Sequence, residues 1–130
     1  MTPQGSLDDA DYGRLLGFRT ELRRFLAWSE ERAAEEGLTA MQHQLLLAVR
    51  GNPDERGATV GAVADALLVR NHSASELVDR AARAGLVKRT RDPDDHRVVR
   101  LHMTRAGETK LTRLSRSHLE ELERLRSGIL

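Results

Sequence analysis

Near the start of the chain, apolar residues recur three and four positions apart, at Leu15, Phe18, Leu22, Phe25, Leu26 and Ala33, and the opposite face is dense in Arg and Glu. That is the period of an amphipathic helix, placed over residues 7–36, with Gly37 as its C-terminal cap and residues 1–6 as a loose tail. Thr39-Ala40-Met41-Gln42 has the spacing of a capping box. A second helix therefore opens there, runs through Leu45, Leu46 and Val49, and stops at Gly51-Asn52-Pro53. Residues 51–58 read as a loop. A short helix follows from about Gly61 to Leu68, with Val60, Val63, Ala64 and Leu67 on one face. Turn chemistry at Arg70-Asn71-His72-Ser73 interrupts it, and Asn71 or Ser73 is the expected N-cap of a fourth helix. Ala74, Leu77, Val78 and Ala81 align along that helix, and Gly85 closes it.

From Leu86 to Met103 apolar and basic residues alternate on both sides of an Asp-rich turn containing Pro93. Alternation is the period of a strand, so this stretch predicts a β-hairpin. Its connection is too long for a two-residue turn and is expected to project as a flexible loop with basic flanks. Thr104 then suits the N-cap of a last helix, along which Leu111, Leu114, His118, Leu122, Leu125 and Ile129 step by three or four. The order predicts a mainly α single domain, 1–130, with a small β-hairpin. Residues 38–103 form a winged helix-turn-helix, and two long amphipathic helices flank it, 7–36 and 104–130.

Composition narrows the class. The chain has no cysteine, which removes disulfides, thiolate metal sites and thiol redox chemistry. No apolar run reaches the length of a membrane span, and the first residues lack the basic-then-apolar order of a signal peptide, so a cytoplasmic protein without membrane contact is expected. Net charge is only +1, but residues 58–107 hold nine Lys/Arg against six Asp/Glu. The basic excess is central, where a phosphate backbone would meet it.

The short helix and its successor are joined as in a helix-turn-helix, whose second helix enters a major groove. On it His72, Ser73, Ser75 and Glu76 are placed to face bases, and Arg80 and Arg83 to reach phosphates. The hairpin is the wing, carrying Arg91, His96 and Arg97, with Arg97 reaching an adjacent minor groove.

Three segments in order resemble the MarR family of winged-helix transcription regulators. They are Leu77-Val78-Asp79-Arg80 with Ala84-Gly85-Leu86-Val87-Lys88-Arg89, then Asp92-Pro93-Asp94-Asp95-His96-Arg97, then Leu101-His102-Met103-Thr104-Arg105-Ala106-Gly107. The resemblance spans roughly Leu15 to Leu125. It implies a homodimer on a pseudo-palindromic operator, residues 7–36 and 104–130 serving as dimerisation helices, and release of DNA by a small, often phenolic, ligand. Arg97 matches the wing arginine that touches DNA in relatives, and Asp92 and Asp95 match acids that shape the wing. Phe25 and Trp28 are candidates to line a pocket for a small aromatic ligand, with core packing the plainer role for Phe25. The chain departs from relatives in three ways. Glu76 stands where many carry a basic or polar residue; a carboxylate there can accept from cytosine N4 but is repelled by phosphate. His96 replaces a basic residue usual beside the wing arginine. A further C-terminal helix usual in relatives does not follow, so the two flanking helices are expected to hold the dimer alone.

Two other classes compete. A winged-helix protein-interaction module without DNA binding is favoured by the small net charge and by Glu76. A metal-using enzyme would draw on Asp92, Asp94, Asp95 and His96, but ligands this close in sequence rarely close a site, and a solvated acidic turn is the commoner outcome. No nucleophile elbow, glycine-rich phosphate loop or HExxH pattern is present, so no enzyme activity and no cofactor are expected.

Overall fold

The computed structural model describes residues 5–129. Most of the tail expected over residues 1–6, and Leu130 at the other end, lie outside that range, as does the side chain of Ile129. Helix α1, Asp9–Glu35, starts one turn into a reciprocal cap: Asp8 accepts from the Asp11 backbone N–H and Asp11 accepts from that of Asp8. It ends on Glu36 as the cap residue, with Gly37 beyond it at φ +77° and Leu38 N–H donating back to Ala33 O. Helix α2, Ala40–Arg50, opens on the expected Thr39/Gln42 capping box. After the 51–57 loop come strand β1, Ala58–Thr59, helix α3, Val60–Leu67, and helix α4, Asn71–Arg83. Strands β2, Val87–Arg91, and β3, Val99–Met103, form the hairpin, and α5, Arg105–Ile129, follows. Thr104 Oγ1 accepts from Gly107 N–H and donates to Gly85 O, tying the start of α5 to the end of α4.

Two expectations need correcting. Asn71 and Ser73 do not cap α4; they lie inside it, and Arg70 is the cap residue, without a side-chain cap bond. Leu68 makes the turn itself by adopting a left-handed conformation, φ +57°, and Val69 N–H donates back to Ala64 O. The chain has therefore reversed by Arg70, and helix can begin a residue earlier. The hairpin is also not alone. β1 pairs with β3 through Ala58–Leu101 and Thr59–Arg100, so the antiparallel sheet has three strands in the order β1-β3-β2. A two-residue strand is too short to display alternation in sequence.

The core lies where α2, α3, α4 and β3 meet, centred on Leu45, Leu46, Val63, Val78 and Leu101. The aliphatic side of α4, Ala74, Val78 and Ala81, is turned into it, which forces the polar side outward. Leu111 and Leu114 at the start of α5 are also buried. The two long helices behave differently along their remaining length. Tyr12, Leu15, Leu16, Phe18, Leu22 and Leu26 of α1 and Leu119 and Leu122 of α5 are exposed. No described helix is long and apolar enough to cross a membrane.

Candidate nucleic-acid interface

Three groups of the expected site residues sit in three places. The first is the outer face of α4. His72, Ser75 and Glu76 are exposed and share a surface depression with Val60 and Gly61 of α3 and with Asn71 and Asp79. Ser73 is half-buried on the flank of the helix, and Arg80 is exposed in the last turn with Arg83. Asp79 is ion-paired with Arg89 of β2, which fastens the outer face of α4 to the root of the hairpin.

The second group is the wing, residues 92–98 between β2 and β3. Its shape is set by carboxylates. Asp92 is buried; its Oδ1 accepts from Asp94 N–H at 2.8 Å and Asp95 N–H at 3.1 Å, and its Oδ2 accepts from Arg100 Nε at 3.0 Å. These donors hold its carboxyl below the usual carboxylate range, the Asp94 N–H contributing most. Asp92 N–H donates to Val98 O, and Val98 N–H to Asp95 O, closing the loop on itself. Asp95 forms a two-pronged pair with Arg97, Nε to Oδ1 and Nη2 to Oδ2, both at 3.0 Å, and also accepts from Arg97 N–H. The Arg97 guanidinium lowers the Asp95 pKa. Even so, the Arg97 side chain is 91% exposed, so the pair orients the guanidinium without hiding it. Arg91 Nη1 donates to His96 O across the loop, and His96 itself is exposed.

Apart from Asp92, the residues that root this wing escaped the sequence analysis. Arg100 reads there as one more basic residue in an alternating strand, but it is buried. Besides Asp92, its Nη1 donates to Gly57 O at 3.1 Å and to Asp54 Oδ2 at 3.3 Å. Asp54 is itself gripped by Arg56, whose guanidinium pulls the Asp54 pKa down to about 2. The 51–57 loop, Arg100 and Asp92 thus form one polar brace under the wing. A buried arginine needs several acceptors. Three are present, and two come from a loop more than 40 residues earlier.

The third group is an aromatic cluster at the junction of α1, α2 and α5. Trp28 and His43 each lie 4.7 Å, centroid to centroid, from the His118 ring, and Phe25 packs edge-on to it at 6.0 Å. His118 Nδ1 lies 2.7 Å from Leu114 O. A carbonyl can only accept, so Nδ1 carries a proton, and Nε2 lies 2.7 Å from Ser29 Oγ on the other side of the ring. Burial, reinforced by the neighbouring His118, pushes the His43 pKa down. Phe25 and Trp28, expected at a ligand pocket, therefore pack around a histidine that the sequence showed only as a member of an apolar stripe. Among the described residues, no group of three or more His, Asp or Glu is placed to hold a metal ion.

The comparisons agree with this geometry. A family model described as MarR family matches residues 36–98. No curated protein matches the chain. A solved MarR family transcription regulator is 28% identical, with a TM-score of 0.79 over 92% of this chain and 78% of its own. AbsC of Streptomyces coelicolor, a MarR family transcriptional regulator, is 22% identical, with a TM-score of 0.73 over 98% of this chain and 85% of its own. FabT of Streptococcus pneumoniae, solved in complex with DNA, is 22% identical, with a TM-score of 0.71 over 90% and 82%. The matched segment runs from the C-terminal cap of α1 to the end of the wing loop, and over it the chain, a winged helix-turn-helix protein, is similar to the MarR family.

Proposed function

We propose that the protein is a homodimeric transcription regulator that binds a pseudo-palindromic operator in double-stranded DNA, works in the cytoplasm as a ligand-responsive repressor, and has no enzymatic role. The observation that carries this reading is the braced wing beside the outward polar face of α4, with Arg97 held in a fixed orientation yet open to solvent. Pre-set guanidinium geometry lowers the ordering cost of a groove contact. In this reading His72, Ser73, Ser75 and Glu76 meet base edges, Arg80, Arg91 and His96 approach the backbone, and Arg97 enters the minor groove. Two structural relatives, FabT and the MepR protein of S. aureus, were solved bound to DNA, which supports it.

The dimer reading rests on the exposed leucines of α1 and α5, apolar side chains that water solvates poorly and a second copy would cover. Helices α1 and α5 are then the dimerisation helices, and two copies of α4 address two half-sites roughly one DNA turn apart. Repression follows by occlusion of the promoter. A small aromatic ligand is assigned to the Phe25–Trp28 cluster, where Arg32 lies over the Trp28 ring and its Nε is buried without a partner among the described residues. A ligand bound there would act by changing the separation of the two recognition helices.

The decisive measurement is a salt series on operator binding. A DNA regulator gives a steep negative slope of log K against log salt. No binding to DNA at low salt would favour a protein-interaction module instead.

A further inference from the structure

The exposed stripe of α4 runs through His72, Glu76, Asp79 and Arg83, opposite the buried Ala74, Val78 and Ala81. The first two turns contain no Lys or Arg; the basic residues of the helix are Arg80 and Arg83 in its last turn. Two carboxylates share this stripe under different conditions. Asp79 is neutralised by Arg89. Glu76 has no ion-pair or hydrogen-bond partner among the described residues and stands at the depression beside Val60, Gly61, His72 and Ser75.

An unpaired acid in the middle of the leading face has the wrong sign for a phosphate backbone. Against phosphates it would weaken binding to every sequence alike. Against base edges it discriminates, because it needs a donor and is left desolvated and unpaired without one. In the major groove cytosine N4 and adenine N6 are the only amino donors. Beside adenine N6, however, N7 turns a lone pair toward the second carboxylate oxygen, whereas cytosine has only a C–H there. Guanine and thymine offer acceptors and so repel the group.

We infer that Glu76 makes operator recognition depend on a cytosine in each half-site, its carboxylate accepting a hydrogen bond from the N4 amino group. The inference rests on the DNA-binding reading above. It also gives a role to the residue that counts most against that reading: an acid that suppresses binding elsewhere sharpens the contrast between operator and bulk DNA.

The test is selection from a random pool of double-stranded DNA with wild-type protein, Glu76→Ala and Glu76→Gln in parallel, followed by titration of single-base variants. The wild type should select one near-invariant cytosine per half-site, and replacing it should weaken binding by about ten- to a hundredfold. Glu76→Ala should accept all four bases there to within about threefold. Glu76→Gln should shift the preference toward adenine, since a carboxamide matches N6 and N7 together. Glu76 is exposed on the outer face of α4, so both variants keep the fold. The same base requirement in wild type and Glu76→Ala, or an equal gain in affinity for every sequence, overturns the cytosine contact and leaves DNA binding standing. A wild-type protein that enriches no sequence overturns the DNA-binding reading itself.

Discussion

Gly57 is the position where a single methyl group most directly tests the brace beneath the wing. Its backbone lies at φ +103°, and a Cβ built there would fall 2.7 Å from His102 Cε1 and 2.9 Å from Leu101 O. The histidine can swing aside at the loss of its contact with Thr90 Oγ1. The carbonyl cannot, because Leu101 is a buried residue of the central strand, paired with both Ala58 and Arg89. Gly57→Ala therefore adds two costs. Positive φ for a residue with a Cβ costs about 1–2 kcal/mol. Displacing β1 from β3 by a few tenths of an ångström adds roughly a further 1–2 kcal/mol. Gly85 is the control. Its φ is +75°, but nothing lies within 4 Å of its would-be Cβ, so Gly85→Ala carries the backbone cost alone.

For a chain of this size about 1 kcal/mol corresponds to roughly 4 °C in Tm. Thermal unfolding at one fixed protein concentration should therefore fall by roughly 10 °C for Gly57→Ala and by roughly 5 °C for Gly85→Ala. Because Gly57 O accepts from Arg100, the first variant should also lose DNA affinity at temperatures where it is fully folded, and the second should not. Equal Tm losses for the two variants would refute the steric argument. Full DNA affinity in Gly57→Ala would refute the link from the 51–57 loop to the wing.

Arg97→Ala should weaken operator binding by about five- to 150-fold in a gel-shift titration, and an unchanged affinity would remove the minor-groove contact. Replacing Leu22 and Leu26 together by Glu should convert the protein to monomers in sedimentation velocity, since both leucines are exposed on the apolar side of α1; a persistent dimer would place the interface elsewhere. His43 should make stability pH-dependent. Its folded pKa is depressed, so below the ordinary value of 6.5 the unfolded chain takes up a proton that the native state resists, and stability is lost as pH falls from 6.5 through the folded pKa. Urea midpoints at pH 7.5, 6.5 and 5.5 should show that decline in the wild type and a smaller one in His43→Gln; equal slopes in the two would remove His43 as its source.

Much of the fold was legible in sequence because its signals are local. Thr39 with Gln42 and Thr104 with Gly107 make their caps within one turn, and the strands of the hairpin keep the alternation that predicted them. The outward polar face of α4 follows from the spacing of Ala74, Val78 and Ala81. The start of α4 was misread for a related reason. Asn71 and Ser73 carry good capping chemistry, but the left-handed Leu68 completed the turn first, and nothing in a leucine side chain announces that conformation.

The sequence by itself determined the order of helices and strands, the polarity of each face, and the presence of an acidic, arginine-bearing loop between two strands. Only the tertiary structure decided which of those charges are free. Arg97 and Arg100 are three residues apart in the same basic run, yet one is open to solvent and the other lies beneath the wing, held by Asp92, Asp54 and Gly57. His118 similarly became the centre of a cluster reaching back to Ser29, 89 positions earlier. These outcomes depend on β1 covering the edge of β3 and on α5 folding back against α1 and α2. Local period specifies which face of an element is apolar, but not which distant element will cover it, so the partners of a buried charge emerge only when the chain is packed.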